Sequence, residues 1–195
     1  MPVLARYIRC KTMSMVAIDV KAFTCSADYE RMLDYFFQAD DVFLQGMGVD
    51  PAKLLNRDVW LNRLLADLRR EDRQKETYYL GWFNEGIPVG HSNINKIIYG
   101  QEAYLHLHIW NPRYRKCGMG TVFLRDSIKI FSHQFLLKSL YCEPYAENPG
   151  PNRTLSKIGF RLIKRFRTVP GIINFEQEVN RYVMDCPVTT PDTPI

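Results

Sequence analysis

The stretch whose reading decides the fold is Ile109-Trp110-Asn111-Pro112-Arg113-Tyr114-Arg115-Lys116-Cys117-Gly118-Met119-Gly120-Thr121. An alternating run over 103–110 ends at a proline that cannot extend a strand. Two glycines then open an apolar stretch, 119–137, that reads as a helix. Glycines at such a junction let main chain approach an anion closely. The unpaired amides of the helix start point at that anion, and the dipole adds partial positive charge. A pyrophosphate is the natural guest. No Lys-Ser/Thr pair follows Gly120, so this is not a P-loop, and the spacing is not G-x-G-x-x-G, which disfavours a dinucleotide site.

Upstream of the loop, residues 15–24 are β-branched and alternating enough for a first strand. Met32, Leu33, Phe36 and Phe37 fall at helical spacing in 28–46, and Trp60, Leu64, Leu65 and Leu68 do so in 51–70. Asp50-Pro51 reads as a cap and first position for the second of these helices. The aromatic cluster Phe36, Phe37 and Phe43 reads first as core, with a substrate-pocket wall as the alternative. Residues 78–83, the turn Asn84-Glu85-Gly86 and residues 87–97 form a hairpin pattern. Downstream come a short strand at 139–143, a helix near 150–158, and strands at 160–167 and 172–184. Early helices followed by strands with interspersed helices give an α/β or α+β fold on a single, mostly antiparallel mixed sheet. One domain over 1–186 and a loose proline-rich tail at 187–195 are expected.

Composition narrows the classes. A chain of 195 residues buries about 70% of its unfolded surface, enough for one self-sufficient core. Charged residues make up 24% and apolar ones 46%, which rules out a wholly disordered chain. No run approaches membrane-spanning length, and the N-terminal MPVLARYIRCKTMSM lacks the apolar segment of a secretion signal, so a cytoplasmic protein is expected. Five scattered cysteines without a C-x-x-C pair read as isolated thiols. The net charge of +5 is uneven: 153–167 holds six basic residues and no acid. That stretch reads as a pocket for a phosphorylated cofactor, a solvated face or, most weakly, a nucleic-acid surface.

The spacing Arg115-x-x-Gly118-x-Gly120 resembles the coenzyme A loop of the GNAT superfamily of N-acetyltransferases. The strand and Pro-x-Tyr-Arg lead-in resemble that family's approach to the loop, and Asn148 followed by Lys157-Ile158-Gly159-Phe160 resembles its later signature. The likeness runs over roughly residues 76–167. It implies acetyl-CoA as co-substrate and a primary amine as acceptor, either a small molecule or a protein N-terminus. It implies no metal, no nucleic acid and no membrane partner, and a homodimer is left open. It further implies that the pantetheine arm pairs with backbone near His108, Ile109 and Trp110. The pyrophosphate would sit on amides of Arg115, Lys116, Cys117, Gly118, Met119, Gly120 and Thr121, and Asn148 would touch the arm. Many relatives carry a tyrosine, acting as general acid, where this chain has Leu155. Relatives resembling the ribosomal-protein N-terminal acetyltransferases also lack it. A non-catalytic acyl-CoA-binding module is the alternative reading.

Two polar rows flank the loop. His91, Asn93 and Asn95 alternate on one strand, and Glu102, Tyr104, His106 and His108 on the next. With an odd register sum across the Gly100 turn they share one face. Such a face is a satisfied hydrogen-bond network, a catalytic wall, or, least favoured, a three-histidine metal site. In the catalytic reading His106 is the first candidate base, because imidazole suits proton transfer near neutral pH. Glu102 and Glu143 are the further bases. Tyr145, beside the gap between splayed strands that the family resemblance implies, is the candidate acid in place of the missing tyrosine. Cys142 reads as a small buried residue.

Overall fold

The computed structural model describes residues 6–9 and 15–186, so Cys10 and the expected tail at 187–195 lie outside the described residues. Eight strands make one sheet: β1 (Arg6–Arg9), β2 (Met15–Ala22), β3 (Thr77–Asn84), β4 (Ile87–Ile98), β5 (Glu102–Ile109), β6 (Ser139–Cys142), β7 (Arg161–Thr168) and β8 (Gln177–Asp185). They lie in the order β1-β2-β3-β4-β5-β6-β8-β7. Only β5 and β6 run parallel; every other neighbouring pair is antiparallel. The strand over Arg6–Arg9 had no counterpart in the sequence reading, whereas the 84–86 hairpin turn closes as expected.

The first helical stretch is two helices, α1 (Ser26–Phe37) and α2 (Asp41–Gly46). Asp40 separates them, since its side chain accepts the Phe43 amide at 2.7 Å and starts a new helix. The second stretch begins later than expected. Asp50 and Pro51 open only a short 3₁₀ turn, and α3 (Arg57–Leu68) is capped by Asn56, which accepts from the amides of Asp58 and Val59. α4 (Met119–Phe135) and α5 (Pro149–Ile158) follow the glycine loop and β6.

Helices cover both faces of the sheet. On one face α4 packs Phe123, Phe131 and Phe135 against Leu80, Trp82, Ile94 and Leu105, all fully buried. The Trp82 and Phe123 rings stack at 5.3 Å, and the Trp82 indole donates to Ser127 at 2.9 Å, so this buried N–H is satisfied. On the other face α1, α2 and α3 bring Met32, Leu33, Phe36, Leu44 and Leu64 together with Tyr79. Phe37, expected in the same stripe, is 38% exposed and leans on Trp60. This second layer does not fill the space over β4 and β5, and a cavity remains there.

Candidate active site

A gap opens between two neighbouring strands. β5 pairs with β6 only at Glu102, Ala103 and Tyr104. Beyond Cys142 the chain bends to β8 instead, where Tyr145 bridges Val179 and the Pro144 carbonyl accepts the Asn180 amide. Among the described residues, the outer edge of β5 from Leu105 onward therefore has no strand neighbour. Antiparallel pairs alternate between bonded and non-bonded positions, and the Trp110 amide donates to the Val89 carbonyl at 2.9 Å. That parity turns the main-chain groups of His106 and His108 and the amide of Trp110 toward β4, and the main-chain groups of Leu105, Leu107 and Ile109 into the gap. The expected backbone contacts at His108, Ile109 and Trp110 are thus corrected by one residue: of these three, only Ile109 presents its main chain to the gap. The Ile109 carbonyl itself accepts from Arg115 at 2.9 and 3.1 Å, and the Trp110 carbonyl accepts from Arg115 at 3.2 Å.

The glycine loop follows that edge. Lys116 and Gly118 sit in the left-handed region, at φ 62° and 88°. The amides of Lys116 and Gly118 meet no acceptor among the described residues, and those of Met119 and Gly120 stand in the first turn of α4, ahead of any intrahelical carbonyl. Arg115 and Thr121 depart from the expectation, because their amides are committed to the carbonyls of Pro112 and Gly118. A Cβ at Gly120 would meet Ile109 Cδ1 at 3.1 Å, a contact relieved by a shift of a few tenths of an ångström at the end of that flexible side chain. The Arg115 guanidinium lies 4.6 Å above the Phe43 ring, tying the loop to α2. The loop thus offers a cradle of amides at a 17-residue helix start, suited to a pyrophosphate.

Gap and loop border a cavity of about 1030 Å³. His108, Ile109, Arg115, Lys116, Gly118, Gly120, Thr121 and Asn148 line it, as do His106, Glu143 and Tyr145; Trp110, Cys117, Met119 and Glu102 do not. Glu102 stands at the far end of β5 from the loop, opposite Ile98, and is not brought to the site. Cys117 Sγ donates to the Tyr114 carbonyl at 3.1 Å.

The two polar rows do share a face. His91 lies opposite His108, Asn93 opposite His106 and Asn95 opposite Tyr104. The His91 and His108 rings stack at 4.8 Å and 13°, and His91 Nδ1 accepts the Trp110 indole N–H at 2.8 Å. Stacked rings do not converge lone pairs on a point, and among the described residues no group of three His, Cys, Asp or Glu could hold a metal ion. The network is incomplete: His106 Nε2 and Asn95 Oδ1 are buried without partners, on residues that border the cavity. Burial, with the Lys96 charge added, pulls the His106 imidazole down to about 4. Burial, then His106 and Arg115, pull His108 to about 3, and burial with both neighbours holds His91 well below its ordinary value. Among the described residues no carboxylate acts on these rings to offset desolvation.

Glu143 is 8% exposed and paired with Arg181. Tyr145 packs edge-on against Phe175 at 5.8 Å. Asn148 caps α5 by accepting the Gly150 amide at 3.3 Å, a structural task beside any ligand contact. Leu155 is completely buried in the α4-side core and does not border the cavity. The Cys142 thiol is buried, and burial pushes its pKa up, which makes it a poor nucleophile. Three of the six cations of the basic stretch form an ion-pair ladder: Arg161 meets Asp185, Arg165 meets Glu147 and Glu178, and Arg167 meets Glu176. Of its six cations only Arg153 borders the cavity. Tyr35, which the sequence reading passed over, holds its phenol 3.4 Å from His108 Nδ1 and donates to Met47 Sδ at 2.9 Å. Its one signal was a place next to Phe36 on α1.

No protein-family model and no curated protein sequence matches the chain. Among solved structures, the fold is that of GNAT N-acetyltransferases. One is RimL, the ribosomal L7/L12 alpha-N-protein acetyltransferase in complex with coenzyme A, at TM-score 0.70 and 12% identity over 86% of this chain and 93% of that one. A second is the ribosomal-protein-S5-alanine acetyltransferase of Vibrio fischeri, at 0.70 and 13% over 86% and 92%. A third is the spermidine N-acetyltransferase of Vibrio cholerae with CoA and spermine, at 0.69 and 13% over 86% and 95%.

Proposed function

We propose that this chain, acting as one domain over 1–186, is an acetyl-CoA-dependent N-acetyltransferase that moves the acetyl group to a primary amine within a ternary complex. The observation that carries the reading is the β5–β6 gap, which runs from an amide cradle at the α4 start into a cavity with unpartnered polar atoms. The residues present fit the co-substrate: amides of Lys116, Gly118, Met119 and Gly120 would take the pyrophosphate, and Lys116 and Arg153 would face phosphate charge. The main-chain edge at Leu105, Leu107 and Ile109 would pair with the pantetheine arm. Acetyl-CoA supplies the thioester. The amine nitrogen attacks its carbonyl carbon, a C–N bond forms, and the oxygen takes negative charge held by gap-facing N–H groups. The C–S bond then breaks, and the thiolate leaves with a proton from Tyr145 or water, while His106 Nε2 or water takes the proton shed by the amine.

The absence of a helix long and apolar enough to cross a membrane, among the described residues, agrees with a cytoplasmic setting. The non-catalytic module stays as a second reading because Leu155 is buried where relatives keep an acid. One experiment separates them: CoA release from acetyl-CoA across an amine panel, beside melting with acetyl-CoA. Transfer to any amine supports the enzyme, and stabilisation without release supports the module. An unchanged melting temperature at saturating acetyl-CoA overturns both.

A further inference from the structure

Resting on the acetyl-transfer reading, the charges around the cavity specify its acceptor. A polyamine needs a carboxylate for each ammonium it brings, and every carboxylate bordering this cavity is already engaged. Asp67 is saturated: Oδ1 accepts from Arg70 at 3.3 Å and the Glu76 amide at 3.0 Å, and Oδ2 from the Thr77 amide and hydroxyl at 2.8 and 2.7 Å. Glu76 shares Arg70 and projects into solvent at 74% exposure. The Lys75 ammonium is buried beside them on the carbonyls of Asp67, Leu68 and Arg70, so the group is neutral. Glu143 is neutralised by Arg181.

Cations are not balanced in the same way. Arg63, Arg115, Lys116 and Arg153 border the cavity, and none has a carboxylate within ion-pair distance among the described residues. Arg115, Lys116 and Arg153 lie at the cofactor loop and α5, where phosphates would offset them. Arg63 stands on α3, in the acceptor half. A second or third ammonium entering there meets like charge with no counter-ion, a repulsion that grows as water is excluded.

Lys96, whose charge reaches His106, adds a further cation at this end, so what the acceptor half offers is room for a single amine that arrives as its neutral free base. His106 Nε2 and Asn95 Oδ1 are buried and unpartnered, on diagonal positions of adjacent strands sharing one face. The same cavity is lined by Tyr35, Phe36, Phe43, Trp60 and Met47, which gather at His108, two residues from His106 on the same face of β5. These rings suit an apolar or aromatic body rather than a hydrated cationic chain. We infer that the acceptor is a primary monoamine carried on an aromatic or alkyl body, its nitrogen at His106 and Asn95, and that polyamines are rejected.

The test compares phenethylamine, hexylamine and spermidine as acceptors for the intact protein with acetyl-CoA, and measures acetyl-CoA binding separately by calorimetry. The expected result is a kcat/KM at least tenfold higher for phenethylamine or hexylamine than for spermidine. Asn95→Asp, which adds one uncommitted carboxylate at the nitrogen site, is expected to raise the spermidine to phenethylamine ratio at least tenfold. If that variant does not fold, Arg63→Glu on the exposed side of α3 must move the ratio in the same direction. Spermidine used as well as the monoamines, or a ratio that neither folded variant moves, overturns the inference while leaving acetyl transfer intact. Failure of acetyl-CoA to bind overturns the transferase reading itself. Binding without transfer to any of the three amines overturns the acceptor assignment in favour of the non-catalytic module.

Discussion

His106 shows how a residue legible in sequence can change its chemistry in the fold. The alternation of His91, Asn93 and Asn95 against His106 and His108 gave the shared face correctly. What packs over that face could not be read locally: Tyr35 and Phe36 of α1 arrive from elsewhere in the chain onto His91 and His108, while His106 borders the cavity. An imidazole near 6.5 was the expectation for a base; burial and Lys96 bring it to about 4. With its imidazole held at about 4, His106 is expected to stay neutral between pH 6 and 9, so in the proposed transfer the ionisation expected to limit the rate is the acceptor's own ammonium. The kcat/KM of the wild type is expected to rise tenfold per pH unit up to the amine's pKa, without a plateau beginning near 6.5. A plateau near 6.5 in wild type that His106→Gln abolishes would restore the original assignment. The same depressed values fix the sign for stability. Unfolded histidines bind protons below about 6.5 that the folded rings refuse until about 4 or lower, so the native state loses stability as pH falls through that window. Melting temperature should hold level from pH 8 to 7 and drop from 6 toward 4, with a shallower drop in His106→Gln.

At the scale of elements, the glycine loop was the most legible part, because a proline, two glycines and a helix start each impose a local constraint. The helix boundaries were less so. The Met32-to-Phe37 stripe continues in phase toward Phe43, and only the Asp40 cap, a short-range signal outweighed by periodicity, divides it. Asp50-Pro51 was a sound cap for the wrong element, since Asn56 supplies the second one. The parity of β5, which decides whose backbone enters the gap, depends on long-range pairing and was missed by one residue. Gly118 allows a test of the loop alone. At φ 88° with open space around a would-be Cβ, substitution there meets backbone strain rather than a clash. A β-branched residue costs roughly 1–2 kcal/mol in that region, whereas asparagine tolerates it. Gly118→Val is expected to weaken acetyl-CoA binding about tenfold or more by calorimetry as the loop relaxes and turns its amides away, and Gly118→Asn to weaken it little. Equal affinities for wild type and Gly118→Val would remove the cradle from the binding site.

Over the whole molecule, the two faces of the sheet are packed to different completeness, and that difference places the function. The α4 side is a continuous layer in which even the Trp82, Ser92 and Ser127 polar atoms are paired. The α1–α3 side leaves about 1030 Å³ over β4 and β5, closed at one end by the β5–β6 gap. Apolar periodicity announced both layers, but a cavity is a deficit of packing between segments far apart in sequence, and no local pattern encodes it. A ligand that bridges gap and loop must therefore act as missing structure. At a hundredfold excess over Kd it stabilises the native state by about 2.7 kcal/mol, which for a chain of this size raises the melting temperature by roughly 5–10 °C. The distribution of the effect is the sharper measurement. Under native conditions acetyl-CoA is expected to slow amide hydrogen exchange at Leu105, Leu107 and Ile109, whose groups face the gap, and at Lys116 to Gly120. The β7 edge, whose arginines are spent on Asp185, Glu147, Glu178 and Glu176, should exchange at its original rate. Protection that appears along β7 and spares the β5 edge would move the binding site off the gap and onto the basic strand.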